Sequence, residues 1–223
     1  MNSARNAGRI VGVLLLVQLA GLIVPFVMLH ALYAPPGFLQ SAAHGTGQIR
    51  WALLLLLANG ALTTGLSIYA HPVLRPASRG LAQWVVVLGA AMLALQAVDN
   101  THVMAMLSLS QQYVDAAGAS SRQLFESLGP VVAATRRSAH YSVLLVIGAW
   151  MLLFYSALWR ARRVPWILPA FGVLAAALHL VGVSLPVFVG QRSVMTMGMV
   201  LAASHGALIL WLLARGFDEG KTA

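Results

Sequence analysis

Apolar residues run along this chain in long blocks without alternation, broken by short clusters of arginine, proline and serine. An apolar–polar alternation at every second residue would mark the strands of a membrane barrel, and none is present. Lipid offers free backbone groups no partner, so such blocks predict helices. About 20 apolar residues cross the hydrocarbon core. Six blocks reach that length, at 9–33, 49–70, 81–109, 140–159, 164–189 and 194–215. The pattern predicts an all-α integral membrane protein, a bundle of six transmembrane helices forming a single domain over residues 1–223. The first block exceeds the apolar stretch of a cleaved leader, about 7–15 residues, and no clear small-residue cleavage site follows it before Pro35. It is read as an uncleaved first helix.

Punctuation between the blocks adds detail. Pro165 falls in the first turn of the fifth helix, and Pro25 and Pro186 are placed to kink or end the first and fifth. The stretch 110–139 is the one long connection, an outer loop. Within it, Ser121 to Glu126 reads as the capped start of a short amphipathic helix, with Leu124, Phe125 and Leu128 on one side. Gly129-Pro130 reads as its break, and the helix either lies on the headgroups or lids a polar site. The pairs Gly8-x-x-x-Gly12, Ala61-x-x-x-Gly65 and Ala202-x-x-x-Gly206 allow close helix approach.

Composition agrees with a lipid-facing surface. The chain is 60% hydrophobic and 9% charged, against about 25% charged in an ordinary soluble domain. A formal charge of +9 invites a nucleic-acid reading. The basic residues are scattered between apolar blocks, however, with no basic face carrying interleaved aromatics, so the partner is the lipid bilayer and not nucleic acid. Their distribution carries orientation instead. One set of ends and loops holds Arg5, Arg9, Arg75, Arg79, Arg160, Arg162, Arg163, Arg215 and Lys221; the other holds Arg50, Arg122, Arg136, Arg137 and Arg192. The bias puts the N and C termini in the cytoplasm. Arg136 and Arg137 run against it. With no cysteine, disulfides, thiolate metal sites and catalytic thiols are excluded.

Candidate chemistry rests on one acid. Asp99 is the sole carboxylate inside the apolar blocks, packed with Asn100 and His102 into one helical turn. An Asp at the centre of a membrane helix costs about 2.5–3.5 kcal/mol on insertion scales, which calls for a partner or a cavity. At 1.5 Å per residue, Asp99, Asn59, His179 and His205 come to a similar depth, and Gln18 reaches it from the other side. These residues, with Asn100 and His102, predict a polar layer near the midplane that binds or passes a proton, a metal ion or a small apolar ligand. Two alternatives stand beside this reading. One is an intramembrane enzyme or cytochrome, with His102, His179 and His205 holding zinc or a pair of histidines holding haem. The other is a structural or regulatory protein whose polar layer only locks the helices. Met104 and Met106 with Met195, Met197 and Met199 add a thioether set suited to copper(I), or simply to packing. No phosphate-binding glycine loop, nucleophile elbow or carboxylate pair is present.

Three segments carry a family resemblance: 9–14 (RIVGVL), 71–82 (HPVLRPASRGLA) and 159–174 (WRARRVPWILPAFGVL). In these the chain resembles a bacterial family of small multipass membrane proteins known only as a domain of unknown function, number four-three-eight-six. The resemblance implies a six-helix inner-membrane protein and brings no activity, cofactor or site residue with it.

Overall fold

The computed structural model describes residues 3–33, 35, 37–190 and 195–218, all of them in helices, turns or short connections. In chain order these are α1 (Ser3–Met28), a 3-10 turn (Leu29–Leu32), α2 (Phe38–Ser41), a second 3-10 turn (Ala43–Gly45), α3 (Thr46–Leu74), α4 (Arg79–Asp115), α5 (Ala119–Ala161), α6 (Ile167–Ser184), a π turn (Leu185–Val189) and α7 (Met195–Arg215). Five stretches are long and apolar enough to cross a membrane: Ala4–Met28, Ala43–Leu74, Arg79–Asp115, Ala119–Ala161 and Ile167–Val189. The described apolar part of α7, Met199–Arg215, is shorter. The all-helical membrane class therefore holds, with five candidate spans and α7 where the pattern predicts six. Val194, Arg192, Lys221 and the side chains of Met195 and Met197 lie outside the described residues.

The largest departure from the sequence pattern is at 110–139. Instead of a long loop holding a short helix, α4 continues to Asp115 and α5 begins at Ala119. Gly118, at φ 115°, makes the turn between them, a backbone region that an L side chain rarely adopts. Nor does Gly129-Pro130 end the helix: Pro130 lies inside α5, which runs unbroken for 43 residues. In a helix interior Gly costs about 1 kcal/mol and Pro about 3. Contacts made just beyond Pro130 offset that cost. Val132 and Ala133 pack on a buried apolar cluster, and Arg136 reaches a buried carboxylate. Pro25 likewise sits inside α1 without ending it, whereas Pro186 coincides with the change from α6 to the π turn.

The chain forms two compact units, and α1, α3, α4 and α5 contribute residues to both. Residues 20–60 and 93–143 make the first to be described. Its core is Leu29, Leu32, Ala42, Ile49, Ala52, Leu53, Val103, Met106 and Leu107, with Phe38 and Val132 packed against it. Side chains tie the short α2 region down: Ser110 Oγ donates to the Leu39 carbonyl and accepts from the Ala43 amide, each at 2.9 Å. Gln111 Nε2 bonds Thr46 Oγ1 at 3.2 Å.

Residues 1–19, 61–92 and 144–223 make the other unit. Here Trp150 stacks on Phe154 at 5.1 Å, and the indole N–H donates to Ser67 Oγ at 2.9 Å. Close approaches rest on glycine. A β-carbon at position 172 would fall within the Tyr155 ring, and one at position 8 would strike the backbone of Phe217. Gly12 also sits tightly against Leu212 and Leu213, so the predicted Gly8/Gly12 pair does admit a close neighbour. Gly65 and Gly206 face open space, so the other two small-residue pairs bring nothing close at their glycines.

Candidate functional site

Asp99 is 1% exposed. Its partners come from α5, where Arg136 and His140 are four residues apart and so share one helix face. Arg136 Nε stands 3.4 Å from Asp99 Oδ1, and His140 Nδ1 stands 3.1 Å from Oδ2. Arg136 is itself buried, and its Nη1 donates to the Tyr33 hydroxyl while its guanidinium carbon lies 5.5 Å from the centre of the Tyr33 ring. Burial of the hydroxyl end of Tyr33 raises its pKa above the ordinary tyrosine value, with the Arg136 charge acting the other way. Tyr33 therefore stays neutral and accepts from Arg136 without adding a charge.

Two features make this cluster more than a neutralised pair. Arg136 Nε and Asp99 Oδ1 are close enough to attract but lack hydrogen-bond geometry, so among the described residues a buried donor and a buried acceptor are left unmatched. Such groups carry a desolvation cost of about 1–3 kcal/mol each. Moreover, His140 Nδ1 faces two neighbours with opposite needs. Asp99 Oδ2 at 3.1 Å requires a donor there, whereas Arg136 Nη2 at 3.5 Å requires an acceptor. With its side chain 38% exposed, His140 is also the member that solvent reaches.

The other predicted residues take separate partners. Asn100 Nδ2 donates to the Leu53 carbonyl at 2.9 Å and its Oδ1 accepts from Gln96 at 3.0 Å, which ties α4 to α3. Asn59 is buried against Gly21, and His102 is half-buried and takes no part in the Asp99 network. In the second unit, Gln18 Nε2 bonds Thr63 Oγ1 at 2.6 Å and His179 Nε2 donates to the Leu144 carbonyl at 3.1 Å. His205 is 1% exposed, with Nδ1 3.2 Å from the Tyr155 hydroxyl and Nε2 unpartnered among the described residues. Asp99, Asn100, His102 and Asn59 thus belong to one unit, and Gln18, His179 and His205 to the other. Among the described residues, no group of three or more His, Asp or Glu side chains is gathered to hold a metal ion.

Sequence reasoning isolated Asp99 but missed Arg136, His140 and Tyr33 as its surroundings. The available signal was the Arg136-x-x-x-His140 spacing, which reads as one helix face only once 119–139 is taken as helix.

Comparison with curated proteins and with solved structures gives no match. A family match does cover residues 10–216, nearly the whole chain, including every residue of the Asp99 cluster. The chain belongs to the family described as Domain of unknown function (DUF4386).

Proposed function

We propose that this is a six-span inner-membrane protein with both termini in the cytoplasm, whose Asp99–Arg136–His140 cluster binds a proton. The observation that carries the reading is the double role of His140 Nδ1. With a proton on Nδ1, the imidazole bonds Asp99; without it, the same nitrogen accepts from Arg136. One proton on Nδ1 therefore decides which charged neighbour His140 holds. Arg136 supplies the fixed countercharge, and the half-exposed ring supplies the route to water.

Helix length supports a shallower site than the midplane. With about 8 Å of headgroup beyond Arg79, a hydrocarbon core of about 30 Å runs from near Trp84 to near Met104 on α4, so Asp99 lies about 8 Å inside its far boundary. The same allowance at Ala161 runs the core from near Ser156 to near Arg136 on α5, so His140 lies about 6 Å inside. Both counts bring the contacting pair to one level, just inside the boundary opposite the Arg79 and Arg160 ends. Arg136 is then the partner of a buried acid at that boundary, which removes the conflict it posed as an orientation signal.

Infrared difference spectra of the protein in lipid, titrated from pH 5 to 8, test the reading. Carboxyl and imidazole bands should change with pH, lose their carboxyl part in Asp99→Asn and shift in His140→Gln. Spectra in which neither substitution alters the titrating bands overturn it. A second reading, a lock between α4 and α5, draws on the buried Asp99–Arg136 pair itself; it expects stability losses with no titrating band.

A further inference from the structure

We infer that the groove between the end of α3 and the start of α4 holds one anionic phospholipid, headgroup at the α3–α4 turn and acyl chain along the helices. A cavity of about 650 Å³ opens there, lined by Ile68, His71, Gln83, Trp84 and Val87 among others. Its lining is graded by depth. Arg75 and Arg79, both exposed, stand at the turn itself: the Arg75 amide bonds the His71 carbonyl at 2.8 Å, and Arg79 adjoins the lining Gly80. His71 and Gln83 follow about 4–6 Å along their helices, Trp84 at about 8 Å, and Ile68 and Val87 at about 9–12 Å.

That order matches the bilayer's own. Polar headgroups occupy roughly the outermost 5–8 Å of each leaflet, tryptophan prefers their lower edge, and hydrocarbon begins below. Two guanidinium groups with no acid in the stretch 71–87 select a negative headgroup over a zwitterionic one. Ile68, Trp84 and Val87 are each more than half exposed, so the wall available to an acyl chain is not used within the chain's own packing. The inference rests on α3 and α4 crossing a bilayer and is independent of the proton site.

Trp84 provides the probe. The full chain is reconstituted in phosphatidylcholine vesicles, and brominated-chain phosphatidylglycerol or brominated-chain phosphatidylcholine is titrated in. The chain has six tryptophans, so the Trp84 signal is the difference between wild type and Trp84→Phe. Brominated phosphatidylglycerol should quench that signal at a mole fraction lower by roughly threefold or more. The preference should vanish in the Arg75→Gln/Arg79→Gln variant and shrink in wild type as salt is raised to about 0.5 M. Equal quenching by the two lipids, or a preference indifferent to salt, overturns the inference. A Trp84 shielded from both lipids also overturns it, since a protein surface such as a second copy then covers the groove. The salt series needs no substitution at the arginines, so a variant that fails to fold leaves the test intact.

Discussion

Removing Arg136 should cost far more than its place at a helix periphery suggests. In Arg136→Met the apolar stem is kept and the guanidinium is lost. Asp99, 1% exposed, then keeps a single half-exposed neighbour, His140. Breaking one side of a buried pair is strongly destabilising, about 3–5 kcal/mol, because the remaining charge is left without compensation. Asp99→Leu should lose a comparable amount by stranding Arg136, moderated by the Tyr33 ring and hydroxyl that still face it. Replacing both charges, as Asp99→Leu/Arg136→Met, removes the stranded groups together and should fall close to wild type, since apolar substitutes for a buried pair are often neutral or better.

The assay is thermal unfolding of purified protein in a fixed detergent, read as loss of the monodisperse species. For a chain of this length about 1 kcal/mol shifts the midpoint by about 2–4 °C, so each single variant should melt about 6–20 °C low. The double variant should recover most of that shift. The cycle compares like with like because all three variants share one reference state. If the double variant melts at the sum of the two single losses, Asp99 and Arg136 are not coupled, and the buried-pair account of this site is wrong.

Packing gives two further outcomes. Gly172→Ala should lower the melting temperature through the Tyr155 ring it would enter, about 1–3 kcal/mol of overpacking, whereas Gly206→Ala, with open space at its β-carbon, should be neutral or slightly stabilising; equal effects would show that helix propensity governs both. Ser67→Ala should strand the indole N–H of fully buried Trp150 and cost about 1–3 kcal/mol, measured in the same melt, with Trp150→Phe in the Ser67→Ala background losing no more.

Hydropathy located the helices well because lipid and apolar cores demand the same side chains. It placed the helix ends poorly, and for one reason: a helix that continues past the hydrocarbon keeps its backbone bonds while its side chains turn polar. Gln111, Gln112 and Asp115 on α4, and Arg136 and Arg137 on α5, therefore fall in the expected outer loop although they are helical. The same error hid the site. While the helix is expected to break at Gly129-Pro130 and the fourth span to begin at 140, Arg136 is a stray positive charge outside it; as one continuous helix Arg136 and His140 form one face, four residues apart. The expected layer joining seven polar residues was drawn from depth alone, and depth does not record which neighbour a side chain bonds. Gln18, Asn100, His179 and His205 each bond something that depth could not name: a threonine, a leucine carbonyl, a leucine carbonyl and a tyrosine.

Charge balance around Asp99 separates the two readings of the cluster. A lock between α4 and α5 gains nothing from His140: Arg136 already neutralises the acid, and a half-exposed imidazole adds little holding strength to a buried pair. It gains nothing from the unmatched Nε and Oδ1 atoms either, which weaken any purely structural pair. A lock made only for stability would be served as well by leucine and methionine. The His140 nitrogen faces both a carboxylate and a guanidinium, an arrangement that the proton-binding reading uses and the lock reading does not. The stability cycle and the infrared titration therefore bear on different questions. A titrating carboxyl band in wild type, together with an Asp99→Leu/Arg136→Met protein that melts like wild type, would place the cluster's purpose in the proton and not in the fold.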